Sequence, residues 1–424
     1  MDLIYILILV FTLETVFLIY FHKSCWISNP VVGFLLFNWV MGVGVFLLLN
    51  LDVESDLVHA YITVLTPIFL TLGSILVRSI TNLDSRYKSF WIKETILENK
   101  ADVYKLVFIF VFCVLITILY YIAVGYNLFF LALQGGGGDF TTMRLQAYAG
   151  DSYFAPGYVN QFKNTLLPLI SFSLIFYFKG RYFHKPLVIF VIFFLTYALL
   201  GTGQRTFLVT SLLMFIVVAI SIRRGNLDLR KLAIPIVGSV FIFIFLSSLL
   251  GRSDEGSFLS GIEALIHRIF ASNQISSVYG FRYIYEQEIV WGAEWGKSFA
   301  GLLPGVRGSD LSNRIHYILF NSDRGTAPLS IWGSVYHNFG FIGTVIVAFL
   351  MGVFYNLLYL RFISGKYSIF RVSTYSALFL YLSIWIAGSP VQLLNNGLAA
   401  VLLLLIILKL RLKTKNETSI TRYG

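Results

Sequence analysis

Charge is what this chain has least of. Only 12% of its 424 residues are Asp, Glu, Lys or Arg, against about 25% in soluble proteins, so water is not its main solvent. Cysteine is nearly absent as well: Cys25 and Cys113 are the only two, and both fall beside or inside apolar segments. Neither a disulfide framework nor a cysteine-based zinc site follows. The apolar runs show no two-residue alternation, which excludes a membrane β-barrel. The tract 135–138 is four glycines without the Lys-Ser/Thr ending of a nucleotide loop, and reads as a flexible kink. No internal repeat or low-complexity linker is found, and the only acid well inside a predicted helix is Glu14.

What is there is apolar: 57% of the residues are hydrophobic. Runs of roughly twenty such residues recur from end to end, each long enough to cross a hydrocarbon core about 30 Å thick as a helix. The runs predict an all-α, polytopic transmembrane bundle of about eleven helices, near 3–21, 31–49, 57–77, 106–124, 162–178, 187–200, 206–222, 232–250, 338–360, 371–388 and 394–408. The first run has neither a basic start nor a small-residue cleavage site, and is expected to be a retained helix.

Basic residues exceed acidic ones by 32 to 21. They sit in short clusters between apolar runs instead of forming one surface, which points to topology and not to nucleic acid. The clusters at Lys23, 78–105, 179–185, 223–231, 361–371 and 409–422 alternate onto one side and hold 22 of the 32 Lys and Arg. That side is expected to be the cytoplasm, which places the N-terminus outside and the C-terminus inside. The whole chain, 1–424, reads as one integral membrane domain with two long external loops, 125–161 and 251–337. Loops of such length are functional or disordered, and the second is too rich in Trp, Tyr, Phe and Ile for disorder. Within it, Ser260-Gly-Ile-Glu263 fits a capping box that opens an amphipathic surface helix. Asp310 to Phe320 predicts a second helix, with Asp310 and Arg314 spaced to pair across one turn.

The external basic residues are Arg144, Lys163, Arg205, Arg252, Arg268, Arg282, Lys297, Arg307, Arg314 and Arg324. Eight of these ten are Arg, whereas the cytoplasmic set has ten Arg and twelve Lys. Topology alone would not favour Arg outside, but recognition of phosphate or carboxylate would, because the planar guanidinium donates two parallel hydrogen bonds. The alternative reading pairs these Arg with external acids such as Glu255, Glu263, Glu286, Glu288, Asp310 and Asp323.

Arg205, in Gly201-Thr-Gly-Gln-Arg205-Thr, sits at the outer junction of two apolar runs. An Arg at that depth either snorkels to the interface or finds a partner in a polar pocket; Gln204 and the two glycines favour the pocket. His337, in Tyr336-His-Asn-Phe-Gly340, lies at the outer mouth of the bundle, as a general base or as a helix-end anchor. No second His stands at a metal-binding spacing from it, so no metal is expected. Arg307, Arg314 and Arg324 precede it, while Arg144 is followed by Tyr148, Tyr153 and Tyr158. Aromatic rings beside Arg and Asp are what a sugar site offers; Tyr and Trp also populate membrane interfaces for solvation alone.

With these residues in view, the chain resembles the bacterial O-antigen polymerases, the oligosaccharide repeat-unit polymerases of the Wzy type. The likeness rests on the polytopic layout, the 144–168 stretch with Ala155-Pro-Gly-Tyr158 and Asn160-Gln, Gly203-Gln-Arg205-Thr, and His337-Asn-Phe-Gly-Phe-Ile-Gly343. It implies a GT-C-like, inverting glycosyltransferase of the bacterial inner membrane, working at the periplasmic face in lipopolysaccharide biosynthesis. Such an enzyme transfers a growing glycan from undecaprenyl diphosphate to the next undecaprenyl-diphosphate-linked repeat unit, without nucleotide sugar or cofactor. Arg205, His337, Arg314 and Arg307 would then be catalytic. Arg144, Arg268, Arg324, Tyr158, Asn160, Gln204 and Asn338 would bind substrate. Membrane lipids, a chain-length regulator and a flippase would be partners. O-antigen ligases share the His-Asn element and the donor; a flippase or other transporter of the same lipid-linked glycan is the rival from another class.

Overall fold

The computed structural model describes residues 3–134, 140–149, 156–225, 263, 266–267, 269–303, 306–322, 325–385 and 387–409. Among them the structure is helical, and the only β contact is an isolated bridge between Ser330 and Ala387. Five helical segments are long and apolar enough to cross a membrane: Leu3–Phe21, Glu54–Thr81, Lys100–Val124, Ile331–Ile363 and Pro390–Lys409. Shorter apolar helices cover Pro30–Phe46, His184–Leu200 and Thr206–Ile222. This is a helical membrane protein. The expected crossing at 232–250, the capping residues Ser260 to Ile262, and Arg252, Arg268 and Arg324 lie outside the described residues.

The helix ends follow local chemistry. Asn29 caps Pro30–Phe46 by accepting from Val31 N, with Pro30 in the first turn where no N–H is needed. Asn99 caps Lys100–Val124 in the same way, and Gly125 ends it with a φ of 80°. The helix expected from 338 begins at Ile331, because the Ser330 hydroxyl accepts from Gly333 N and caps it there. Residues 331–337 therefore belong to the helix and not to the preceding loop. The helix expected to reach 388 stops at Ser383. A turn through Gly388 then leads into Pro390–Leu393, a π-helical turn at Leu394–Leu398, and the helix Ala399–Lys409.

The chain divides into two compact units. The first comprises Met1–Glu94, Leu212–Tyr367 and Tyr375–Leu398. At its centre Glu54–Thr81 packs along Ile331–Ile363. Small residues let the backbones touch: a Cβ on Gly73 would stand 2.0 Å from Phe349 O, and one on Gly352 would stand 1.9 Å from Leu70 O. Several polar groups in this core find partners within it, as a dry environment favours. Asn356 Nδ2 donates to Ser74 O at 2.8 Å, Trp332 Nε1 to Asn38 Oδ1 at 2.8 Å, and Tyr355 Oη to Leu382 O at 2.8 Å.

The second unit comprises Thr95–Ser211, Ser368–Thr374 and Ala399–Gly424. In it, tyrosines on or just after Lys100–Val124 tie down the short helix Phe140–Ala149. Tyr120 Oη donates to Ala147 O at 2.5 Å, and Tyr126 Oη to Met143 O at 2.7 Å. A π-helical turn, Phe162–Leu166, interrupts the helical stretch that runs from Pro156 to Tyr177.

Candidate functional site

In the first unit, the segment 287–303 folds back on the His-Asn element. Val290 N donates to His337 O at 3.1 Å, and Gly292, with a φ of 84°, opens the helix Ala293–Ala300. That helix is docked by Asn338, which is fully buried. Asn338 Nδ2 donates to Ser334 O at 2.9 Å and to Glu294 Oε2 at 3.2 Å, and its Oδ1 accepts from Trp295 N at 3.4 Å. Trp295 Nε1 donates to Ser334 Oγ at 2.9 Å, and Ser298 Oγ donates to Glu294 Oε1 at 2.9 Å. Two residues on, Gly340 breaks the helix with φ 68° and ψ −170°. A Cβ there would meet Ile289 Cδ1 at 2.6 Å, so the kink and the close approach both require glycine.

Two cavities flank the helix Leu311–Phe320. The first, about 220 Å³, is lined by Glu294, Ser298, Ser312, Ser334, Gln392 and Asn395 among others, all neutral except Glu294 within this set. The second, about 350 Å³, is lined by Tyr283, Arg307, Asp310, Asn313, Arg314, Tyr317 and Ile318. Arg314 Nε donates to Asp310 Oδ2 at 3.0 Å, the pair that the spacing predicts. Its hydrogen bond to Asp310 and a further one with Tyr283 hold the Arg314 guanidinium above its ordinary pKa. Partial burial alone would raise the Asp310 carboxyl, but the Arg314 hydrogen bond and charge outweigh it and hold the group below its ordinary value. Two guanidiniums thus face one carboxylate, and the cavity carries a surplus positive charge beside two phenol rings.

The structure brings together only some of the residues expected from sequence. Arg307 and Arg314 share the second cavity. His337 and Asn338 follow Ser334, a lining residue of the first, on the same helix; both are buried and neither lines the cavity. Arg144, Tyr158, Asn160, Gln204 and Arg205 belong to the second unit. There the Arg144 stem lies beside Gly203, whose Cβ would stand 3.8 Å from Arg144 Cγ, while Asn160 Oδ1 accepts from Asn164 Nδ2 at 3.4 Å. Tyr158 is exposed and Gln204 half-buried. Arg205 opens the helix Arg205–Ile222, its side chain lying outside the described set, as Arg268 and Arg324 do entirely. Arg282, one of the ten external basic residues, is taken up by the buried Asp56, its Nε and Nη2 donating at 2.7 and 2.6 Å.

Sequence reasoning missed Glu294, Ser298, Tyr283, Tyr317, Gln392 and Asn395. The one local signal was Glu294 and Ser298 four residues apart after a glycine, the spacing of neighbours on a helix face. Also missed was Lys163 as a special group: it is fully buried in the π-helical turn, with Nζ 4.5 Å from the Tyr120 ring centre and no hydrogen-bond partner. Compared with protein-family models, curated proteins and solved structures, the chain matches none.

Proposed function

We propose that this chain is an oligosaccharide repeat-unit polymerase of the O-antigen type, a membrane-embedded glycosyltransferase that uses a lipid diphosphate as leaving group. In this reading the chain crosses a bacterial inner membrane about eleven times, and both cavities face the periplasm, where lipid-linked repeat units are presented. The observation that carries it is the cavity where Arg307 and Arg314 meet Tyr283 and Tyr317. Guanidinium forks match phosphate oxygens, and phenol rings offer flat faces to sugar or to a prenyl chain.

The chemistry is a single displacement with inversion. The acceptor hydroxyl oxygen forms its bond to the anomeric carbon of the growing glycan as the bond from that carbon to the diphosphate oxygen breaks. The electron pair leaves with the diphosphate, whose growing charge Arg307 and Arg314 neutralise; one such donor is worth about 10²–10³ in rate. The acceptor proton goes to a nearby base, a role the sequence reading gave to His337 or to an external carboxylate. Arg144 as a binding group and Arg205 as a catalytic one belong to the same reading, tested singly by the length of glycan that each alanine variant produces.

The deciding experiment incubates purified protein with lipid-diphosphate-linked repeat units alone. Elongation without ATP, nucleotide sugar or a second protein supports the polymerase. Transport of the intact lipid across a vesicle bilayer without elongation supports the rival transporter, which the buried Lys163 and the half-buried Glu14 favour. Transfer to a lipopolysaccharide core in place of a second repeat unit identifies a ligase.

A further inference from the structure

We infer that the smaller cavity is the seat of the acceptor sugar and that Glu294 is the group that takes the proton from the attacking hydroxyl; this rests on the polymerase reading above. The two cavities differ in chemistry. One is cationic; the other sets hydroxyls, amides and a single carboxylate among glycine and apolar residues. A carboxylate repels a diphosphate but accepts from sugar hydroxyls, while Ser and Asn or Gln side chains both donate and accept. Its volume is about 220 Å³ and it opens to the surface, so a sugar ring can enter it.

Glu294 is held as a base should be held. Each carboxylate oxygen accepts one hydrogen bond, from Ser298 and from Asn338. An ionised carboxylate has about four lone-pair sites, so about two remain for a ligand in the cavity it lines. Asn338 is itself tied to Trp295 N and Ser334 O, which anchors the amide that holds the carboxylate. His337 precedes Asn338 on the same helix but lines neither cavity, and its Nδ1 makes no hydrogen bond. In the step proposed, the hydroxyl proton passes to Glu294 as the oxygen bonds to the anomeric carbon. The electron pair of the broken bond leaves with the diphosphate, and Glu294 then returns its proton to solvent.

The test compares wild type, Glu294→Gln and Ser312→Phe in the purified elongation assay, with lipid-diphosphate repeat units as both donor and acceptor. Glu294→Gln is expected to lower kcat by about 10²–10⁴, to change the acceptor KM much less, and to abolish the rise of rate with pH on the acid side. Ser312→Phe fills the cavity from its wall and is expected to raise the acceptor KM with kcat largely kept, which guards against a folding defect in the first variant. A Glu294→Gln enzyme that elongates within about threefold of wild type, or with its acid limb intact, overturns the assignment of the base. An unchanged acceptor KM in Ser312→Phe overturns the assignment of the cavity. Wild-type protein that elongates nothing overturns the polymerase reading itself, and is thereby distinguished from failure of Glu294 alone.

Discussion

Two arginine–carboxylate pairs in the first unit share their chemistry and differ in kind. Arg282 uses both Nε and Nη2 on Asp56, whose side chain is 1% exposed and which also accepts from Asn50 N at 2.7 Å. Arg314 gives only Nε to Asp310, and the two side chains are 61% and 42% exposed on a cavity wall. The first pair is a structural tie between Ile275–Tyr285 and the start of Glu54–Thr81. The second, beyond its bonds to Asp310 and Tyr283, leaves the rest of the guanidinium facing the cavity. Arginine enrichment in the sequence therefore marks two populations, and only burial and the use of the fork separate them.

The largest effect should come from breaking the buried tie. Arg282→Ala leaves Asp56 charged and uncompensated, and should cost about 3–5 kcal/mol of stability, read as a lower Tm and poor accumulation of the purified protein. Arg282→Lys should recover little, because a point charge cannot replace the planar fork. A Tm within two degrees of wild type for Arg282→Ala would erase the distinction between the pairs.

Next in size, Arg307→Ala and Arg314→Ala should each lower elongation by about 10²–10³ while changing stability by less than about 1 kcal/mol, the value of an exposed pair. Loss of activity that tracks loss of Tm would place these residues in the same class as Arg282.

A third cation extends the comparison. Lys163 is buried with aromatic rings and no hydrogen-bond acceptor around Nζ. Replacing a buried charge of this kind by an apolar residue of similar length is neutral or stabilising, so Lys163→Met should leave Tm unchanged or raise it. If Tm falls, the ammonium has a structural partner after all.

The smallest effect concerns pH. Asp310 is held below its ordinary pKa in the folded protein, so the modest stability of its pair is complete above the ordinary carboxyl range and is lost only as pH falls through the lower folded value. Between pH 5 and 8 the Tm difference between wild type and Asp310→Asn should therefore be flat. A difference that grows across that window would show the opposite sign of shift.

The membrane helices were legible because apolar length is a property of a continuous segment. Leu3–Phe21 was read to the residue, and Leu311–Phe320 with its Asp310–Arg314 pair came from spacing within one turn. The cavities were not legible, because they are assembled from segments far apart: Glu294 and Ser298, then Ser334, then Gln392 and Asn395. Single Ser, Gln and Asn residues carry no periodic signal. Glu294 lies beyond the acids that reading matched to external Arg, since its partners are an amide and a hydroxyl. The early start of Ile331–Ile363 escaped because a single serine cap sets it, not a change in hydropathy.

Whether guanidinium groups gather a pyrophosphate can be asked without any sugar chemistry. Inorganic pyrophosphate titrated calorimetrically into the purified wild-type protein should bind, with an affinity that weakens as salt rises, and the Arg307→Ala, Arg314→Ala double variant of unchanged Tm should bind at least tenfold more weakly. Equal affinity for wild type and double variant would contradict the assignment of this cavity to the leaving group.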